Sequence, residues 1–132
     1  MRDGGLRALL VRNLPRVHFQ SVETWSTGQG VPDLNYCVDG AEGWIELKKS
    51  DGWVVNFEPA QIAWLERRAR AGGRVFVFVR RKRDELYVLP ASAARPLLTR
   101  RESLRSVERI ALFDGGPRAW NWPEIARILA CY

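Results

Sequence analysis

The pair Asp39-Gly40 lies between two strand-like runs, 33–38 and 43–49. Asp-Gly is a strong hairpin signal, because both central positions of the tightest turn need a positive φ. If these two residues make the whole turn, Val38 pairs with Ala41, Cys37 with Glu42, and the register carries down to Asp33 opposite Glu46. Side chains directly across an antiparallel pair share a face, with Cβ atoms roughly 5 Å apart. Lys48, two residues past Glu46, points the same way. Turn chemistry thus predicts two carboxylates and one ammonium group on one face of a sheet. A slip of one residue would part them, so the prediction depends on the turn.

Like charges facing each other destabilise a hairpin, and a divalent cation between them relieves the repulsion. Asp33 and Glu46, with the backbone carbonyl of Leu47 and waters, suit the octahedral oxygen shell of Mg²⁺ or Mn²⁺. An ion held there polarises a phosphodiester and lowers the pKa of a bound water. Lys48 beside it can position or activate that water and stabilise charge in the transition state. Zinc chemistry is disfavoured. The sequence has one histidine, His18, and its two cysteines, Cys37 and Cys131, lack metal-binding spacing. The competing reading is an ordinary solvated Glu–Lys pair on a strand, preceded by an aspartate.

The rest of the chain frames this hairpin. Leu6, Leu9, Leu10 and Leu14 are spaced for a helix over 3–14, ended by Pro15, and 17–24 reads as a strand. Pro59 suits the first turn of a helix whose apolar face is Ile62, Leu65 and Ala69, stopped at Gly72-Gly73. The run 74–81 reads as a buried strand, 85–90 as another, 91–99 as a short helix and 107–113 as extended. A last helix over 122–130 has Asn121 as cap and Pro123 in its first turn. The expected fold is α/β, a mixed central sheet flanked by helices. At 132 residues this is one domain, with a core over about 1–90 and a small extension over about 91–132.

Composition narrows the partners. With 46% hydrophobic and 27% charged residues the chain is not of the disordered class. No apolar run nears the ~20 residues of a membrane helix, and the N-terminal stretch is too short and Arg-interrupted for a signal peptide. A soluble cytoplasmic protein without membrane contact is expected. The net charge of +6 suits a polyanion. Lys49 and the run Arg80, Arg81, Lys82 and Arg83 are the candidate phosphate contacts. The six tryptophans, Trp44 and Trp53 among them, are read as core or interface filling rather than base-stacking surfaces.

Gly30-Val31-Pro32-Asp33 and Trp44-Ile45-Glu46-Leu47-Lys48 resemble the PD and E-x-K motifs of the PD-(D/E)XK nuclease superfamily. Gln61 with Leu65, a glycine at 72 or 73 and the strand over 74–79 resemble the downstream pattern of its VRR-NUC and Holliday junction resolvase branches. The resemblance covers about residues 1–80. It implies a restriction-endonuclease-like αβββαβ core, a Mg²⁺- or Mn²⁺-dependent endonuclease acting on DNA, and a preference for branched DNA such as a Holliday junction. It also implies metal ligands at Asp33 and Glu46, a catalytic Lys48, and Gln61 pointing into the site. Small relatives are homodimers, whose two-fold axis matches a four-way junction. Where many relatives carry an acidic ligand on the first helix, this chain offers only Asp3, which is not assigned that role; Glu23 is a weaker candidate. The alternatives are another DNA nuclease activity on the same fold (nicking, flap or restriction-like), a non-catalytic nucleic-acid-binding module, and a plain structural α/β protein.

Overall fold

The computed structural model describes residues 2–22 and 29–132. Within them the chain forms α1 (Leu6–Asn13), β1 (His18–Ser21), β2 (Leu34–Val38), β3 (Ala41–Ser50), α2 (Pro59–Arg70), β4 (Arg74–Arg81) and β5 (Glu85–Pro90). A 3-10 turn (Ala91–Ala93), α3 (Ala94–Leu98), β6 (Ala111–Phe113) and α4 (Trp122–Cys131) follow. The six strands lie in one sheet in sequence order, β1 through β6. Only β3 and β4 pair in parallel, joined by the α2 crossover; every other neighbour is antiparallel.

The hairpin forms with the two-residue turn. Asp39 and Gly40 both have positive φ, 50° and 81°. The register runs from Val38↔Ala41 to Leu34↔Ile45, the one deduced from the sequence. The helices divide between the two sheet faces. On one, Leu34, Tyr36, Val38, Ile45, Leu47, Phe76 and Phe78 meet Leu6, Leu9 and Leu10 of α1 and Ile125, Ile128 and Leu129 of α4. On the other, Val75, Val77, Val79, Tyr87 and Leu89 meet Val55, Phe57, and Ile62 and Leu65 of α2, together with Ala94 and Leu97 of α3. β4 therefore sends phenylalanines to one layer and valines to the other, which is why its sequence reads as an unbroken apolar run.

Beyond residue 90, β6 continues the same sheet and α4 supplies part of the first core. Of the expected extended piece over 107–113 only Ala111–Phe113 is a strand, although Val107 is buried and Ile110 donates its N–H to Val88 O at 2.8 Å. Of 17–24, His18–Ser21 is a strand, and residues 23 and 24 lie outside the described residues. No helix among the described residues is long and apolar enough to cross a membrane.

Two polar side chains dock α4. The buried Tyr36 hydroxyl donates to Leu129 O at 2.7 Å, and Arg74 donates to Ile128 O, Leu129 O and Tyr132 O at 3.1, 2.7 and 2.6 Å. Leu129 O is a last-turn carbonyl of α4, Ile128 O also accepts the Tyr132 N–H at 3.1 Å, and Tyr132 O lies just past the helix. Tyr36→Phe keeps the ring but removes the hydroxyl bond, and is expected to lower stability by about 1 kcal/mol. The shift of the urea midpoint, at unchanged slope, measures it.

Candidate active site

The site sits where β2 and β3 part. Asp33 is one residue before β2, and its side chain replaces the next ladder bond: Oδ2 accepts the Leu47 N–H at 2.9 Å. The N–H and C=O of a strand residue point to the same edge, so the Leu47 carbonyl faces Asp33 as well. Glu46 is 3% exposed, one of two buried charged residues in the described chain. Lys48 follows it on the same face, with Nζ 3.3 Å from Glu46 Oε2 and 4.6 Å from the centroid of the Phe57 ring.

Gln61 joins these groups. It lies in the first turn of α2 and reaches back, with Oε1 accepting the Glu58 N–H at 2.9 Å, half of a capping box. The same oxygen accepts from Lys48 Nζ at 3.0 Å. Two obligate donors on one side fix the amide orientation. Nε2 must then face the carboxyl, and it donates to Glu46 Oε2 at 2.9 Å. Both donors fall on Oε2, and the Leu47 N–H falls on Asp33 Oδ2, so each carboxyl keeps a second oxygen that none of these donors uses.

Burial pushes the Glu46 carboxyl up to about 8, the nearby Asp33 carboxylate adds to the rise, and Lys48 only partly offsets it. At neutral pH without a cation, Glu46 is mostly protonated, so its contact with Lys48 is then a hydrogen bond more than an ion pair. The donor set of two carboxyl groups and the Leu47 carbonyl fits a hard divalent cation such as Mg²⁺, which takes one or two protein carboxylates and keeps several waters. No group of three or more His, Cys, Asp or Glu gathers among the described residues.

Other residues named from sequence are placed as follows. Asp3 caps its own helix, Oδ1 and Oδ2 accepting from Gly5 N and Arg7 N at 2.8 and 3.2 Å. Glu23 lies outside the described residues. Lys49, Lys82 and Arg83 are exposed. Arg80 and Arg81 are not free: Arg80 donates to Gly4 O at 2.6 Å and twice to Arg83 O, and the buried Arg81 pairs with Glu85 at 2.9 Å and donates to Gly52 O at 2.7 Å.

Two contributors went unread in the sequence. Phe57 seats Lys48, and nothing in its apolar neighbourhood marks it. Gly30, at φ 84°, packs on α2 so tightly that a Cβ would meet Ala60 O at 2.1 Å and Gln61 N at 3.0 Å. It holds the segment leading to Asp33 against the turn that carries Gln61.

The architecture has a known counterpart. The Holliday junction resolvase Hjc of Archaeoglobus fulgidus, an archaeal hyperthermophile, is similar over 92% of this chain and 96% of its own, with a TM-score of 0.53 and 17% identity. The likeness is one of fold: a mixed, open α/β sheet flanked by helices, of the restriction-endonuclease-like kind. It agrees with the superfamily resemblance carried by Asp33, Glu46, Lys48 and Gln61. No protein-family model matches the chain, and no curated protein does.

Two predictions test this geometry. A carboxyl raised in the folded state stabilises the fold below its unfolded pKa of 4.5, and that stability is lost as pH rises through about 8. The metal-free protein should therefore lose on the order of a few kcal/mol across that range. Glu46→Gln should flatten the profile of Tm against pH, and Mg²⁺ or Mn²⁺ at pH 8 should restore the wild-type Tm but not that of Asp33→Asn. Gly30→Ala must displace the first turn of α2, so the Mg²⁺-induced rise in Tm should shrink even at temperatures where circular dichroism stays native.

Proposed function

We propose that this chain is a metal-dependent endonuclease hydrolysing DNA phosphodiester bonds, with a preference for branched DNA of the Holliday junction kind. The observation that carries the reading is the single hydrogen-bonded array of Glu46, Gln61 and Lys48 beside Asp33, on the fold of a Holliday junction resolvase. A bound Mg²⁺ or Mn²⁺ supplies Lewis-acid polarisation of the phosphate and an acidified water. The chain's own groups do the rest. Asp33, Glu46 and the Leu47 carbonyl would hold the cation. Lys48 has three ammonium donors, of which Gln61 and Glu46 take two, and the third is free for the attacking water or a phosphate oxygen. Its seat on the Phe57 ring limits its rotation. Gln61 is a positioning residue that fixes Lys48 and Glu46 relative to each other.

The basic surface supports a polyanionic substrate. The net charge is +6 overall, and the exposed cations Lys49, Lys82 and Arg83 lie at the C-terminal end of the parallel pair β3 and β4, the end that carries Lys48. Their contacts are to the phosphate backbone, so they contribute affinity and salt dependence without sequence preference. A homodimer is part of the proposal, because two sites related by a two-fold axis address the symmetric strands of a four-way junction.

The test is cleavage of a labelled four-way junction and its linear duplex control, in Mg²⁺, Mn²⁺ or EDTA. Symmetric, metal-dependent cutting of the junction is expected, with Lys48→Ala slower by roughly 100-fold or more and Asp33→Asn inactive. Equal cutting of both substrates would remove the junction preference. DNA binding without cutting in any metal would remove the nuclease.

A further inference from the structure

Trp53 stands out in the loop between β3 and α2. Its indole ring packs against the Arg81 guanidinium, with Cζ 3.5 Å from the ring centroid. Arg81 is 7% exposed and is tied to Glu85 and to Gly52 O, so this underside is neutralised and fixed. The exposed Arg105 lies over the same ring at 4.7 Å. Among the described residues its guanidinium makes no ion pair.

The loop around the ring is pinned from both sides. Ser50 Oγ donates to Val54 O at 2.7 Å, the Leu104 N–H donates to Trp53 O at 3.0 Å, and Arg100 donates to Val55 O and Asn56 Oδ1 at 3.3 and 3.0 Å. An aromatic ring held this rigidly loses little entropy when a ligand stacks on it. Beside it Val54 is 48% exposed, so the rim of the platform is partly apolar.

Its location ties it to the catalytic groups. Arg81 shares the sheet face of Lys48: the register pairs Lys48 with Val79 and Ser50 with Arg81. One strand spacing across and two residues along put the Arg81 and Lys48 Cα atoms about 8 Å apart. Neighbouring nucleotides of one strand span such a gap. Trp53 is half-buried and packs against the second core, and beyond that it carries two guanidinium contacts, one of them from an exposed arginine without an ion pair among the described residues.

We propose that Trp53 is a stacking platform for an unpaired nucleobase next to the catalytic centre, with Arg105 as the guanidinium that swings from the ring to the nucleotide's phosphate. The ligand class is single-stranded or splayed DNA. Paired duplex is excluded, because its bases already stack on each other. Sequence preference at the platform is weak, since every base has a π-face. The inference rests on the nuclease reading for its substrate, but its own chemistry is binding and needs no metal.

The experiment therefore runs in EDTA, with the full chain and two probes carrying 2-aminopurine: a single-stranded oligonucleotide and a fully paired duplex. Stacking on Trp53 should quench the single-stranded probe on binding and leave the duplex unchanged. Trp53→Leu should weaken single-strand affinity roughly 5- to 100-fold, abolish the quench, and leave duplex affinity within about twofold. Arg105→Ala, at an exposed position, should keep the quench and lower the salt slope of binding by about one contact. If Trp53→Leu does not fold, Trp53→Phe, which keeps a smaller ring and a weaker quench, takes its place beside Arg105→Ala. Unchanged quench and affinity in the Trp53 variant, or equal losses on both probes, would overturn the platform. Quenching that depends on Trp53 in a protein that cuts nothing would keep the platform and sink the nuclease. Cutting without any such quenching would do the reverse.

Discussion

The buried Glu46 carboxyl facing the half-buried Asp33 carboxyl is the constraint that the surrounding structure has to meet. Glu46 is almost fully buried, and Asp33 lies close enough to raise its pKa further. Left alone, such a pair would favour parting the hairpin at its open end. Three groups hold it instead: the Leu47 N–H on Asp33, and the Gln61 amide and Lys48 ammonium on Glu46. Two come from β3 itself. The third requires α2 to begin where it does. Hence the loop over 51–57, the reach of Gln61 back to Glu58 and the contact of Gly30 with Ala60 all serve one geometric demand.

Topology makes that demand easy to meet. β3 and β4 are the only parallel pair among the described strands, and α2 is the crossover between them. In an open α/β sheet the residues just outside the carboxyl ends of parallel strands are free of ladder bonds and available for ligands. Here that end receives Lys48, the loop with Trp53 and Phe57, and the first turn of α2. The antiparallel strands extend the sheet on both sides and thicken the core, and α4 closes the first face through Tyr36 and Arg74.

What could be read from the sequence follows the range of the forces involved. The hairpin register was legible because a positive-φ turn is set by two adjacent residues, and the grouping of Asp33, Glu46 and Lys48 follows from it. The strands Arg74–Arg81 and Glu85–Pro90 were legible to the residue, since burial on both faces writes a continuous apolar run. The docking of α4 was not, because it depends on a tyrosine and an arginine meeting carbonyls far along the chain. Nor was the fate of the run 80–83. A basic run looks the same in sequence whether its side chains face solvent or, like Arg80 and Arg81, bond to backbone oxygens. Trp53 packs against the second core, as its apolar character suggested, but its cationic partners, Arg81 and Arg105, were not legible, because they are brought to it by the sheet and by the segment after α3.

The division between bound and free cations changes what the net charge of +6 means. Arg80 and Arg81 use their hydrogen bonds inside the molecule and fix loops, and the Arg81 charge is paired with Glu85. At this end of the sheet the exposed cations are Lys49, Lys82, Arg83 and Arg105, which belong to β3, to the turn after β4 and to the segment that covers Trp53. These are the elements around the carboxylate pair. The exposed cations form the outer rim of this end of the molecule, and the carboxyl pair forms its buried centre. The rim is screened by salt, whereas the buried centre responds to pH through Glu46, so ionic strength and proton concentration act on separate parts of the same surface.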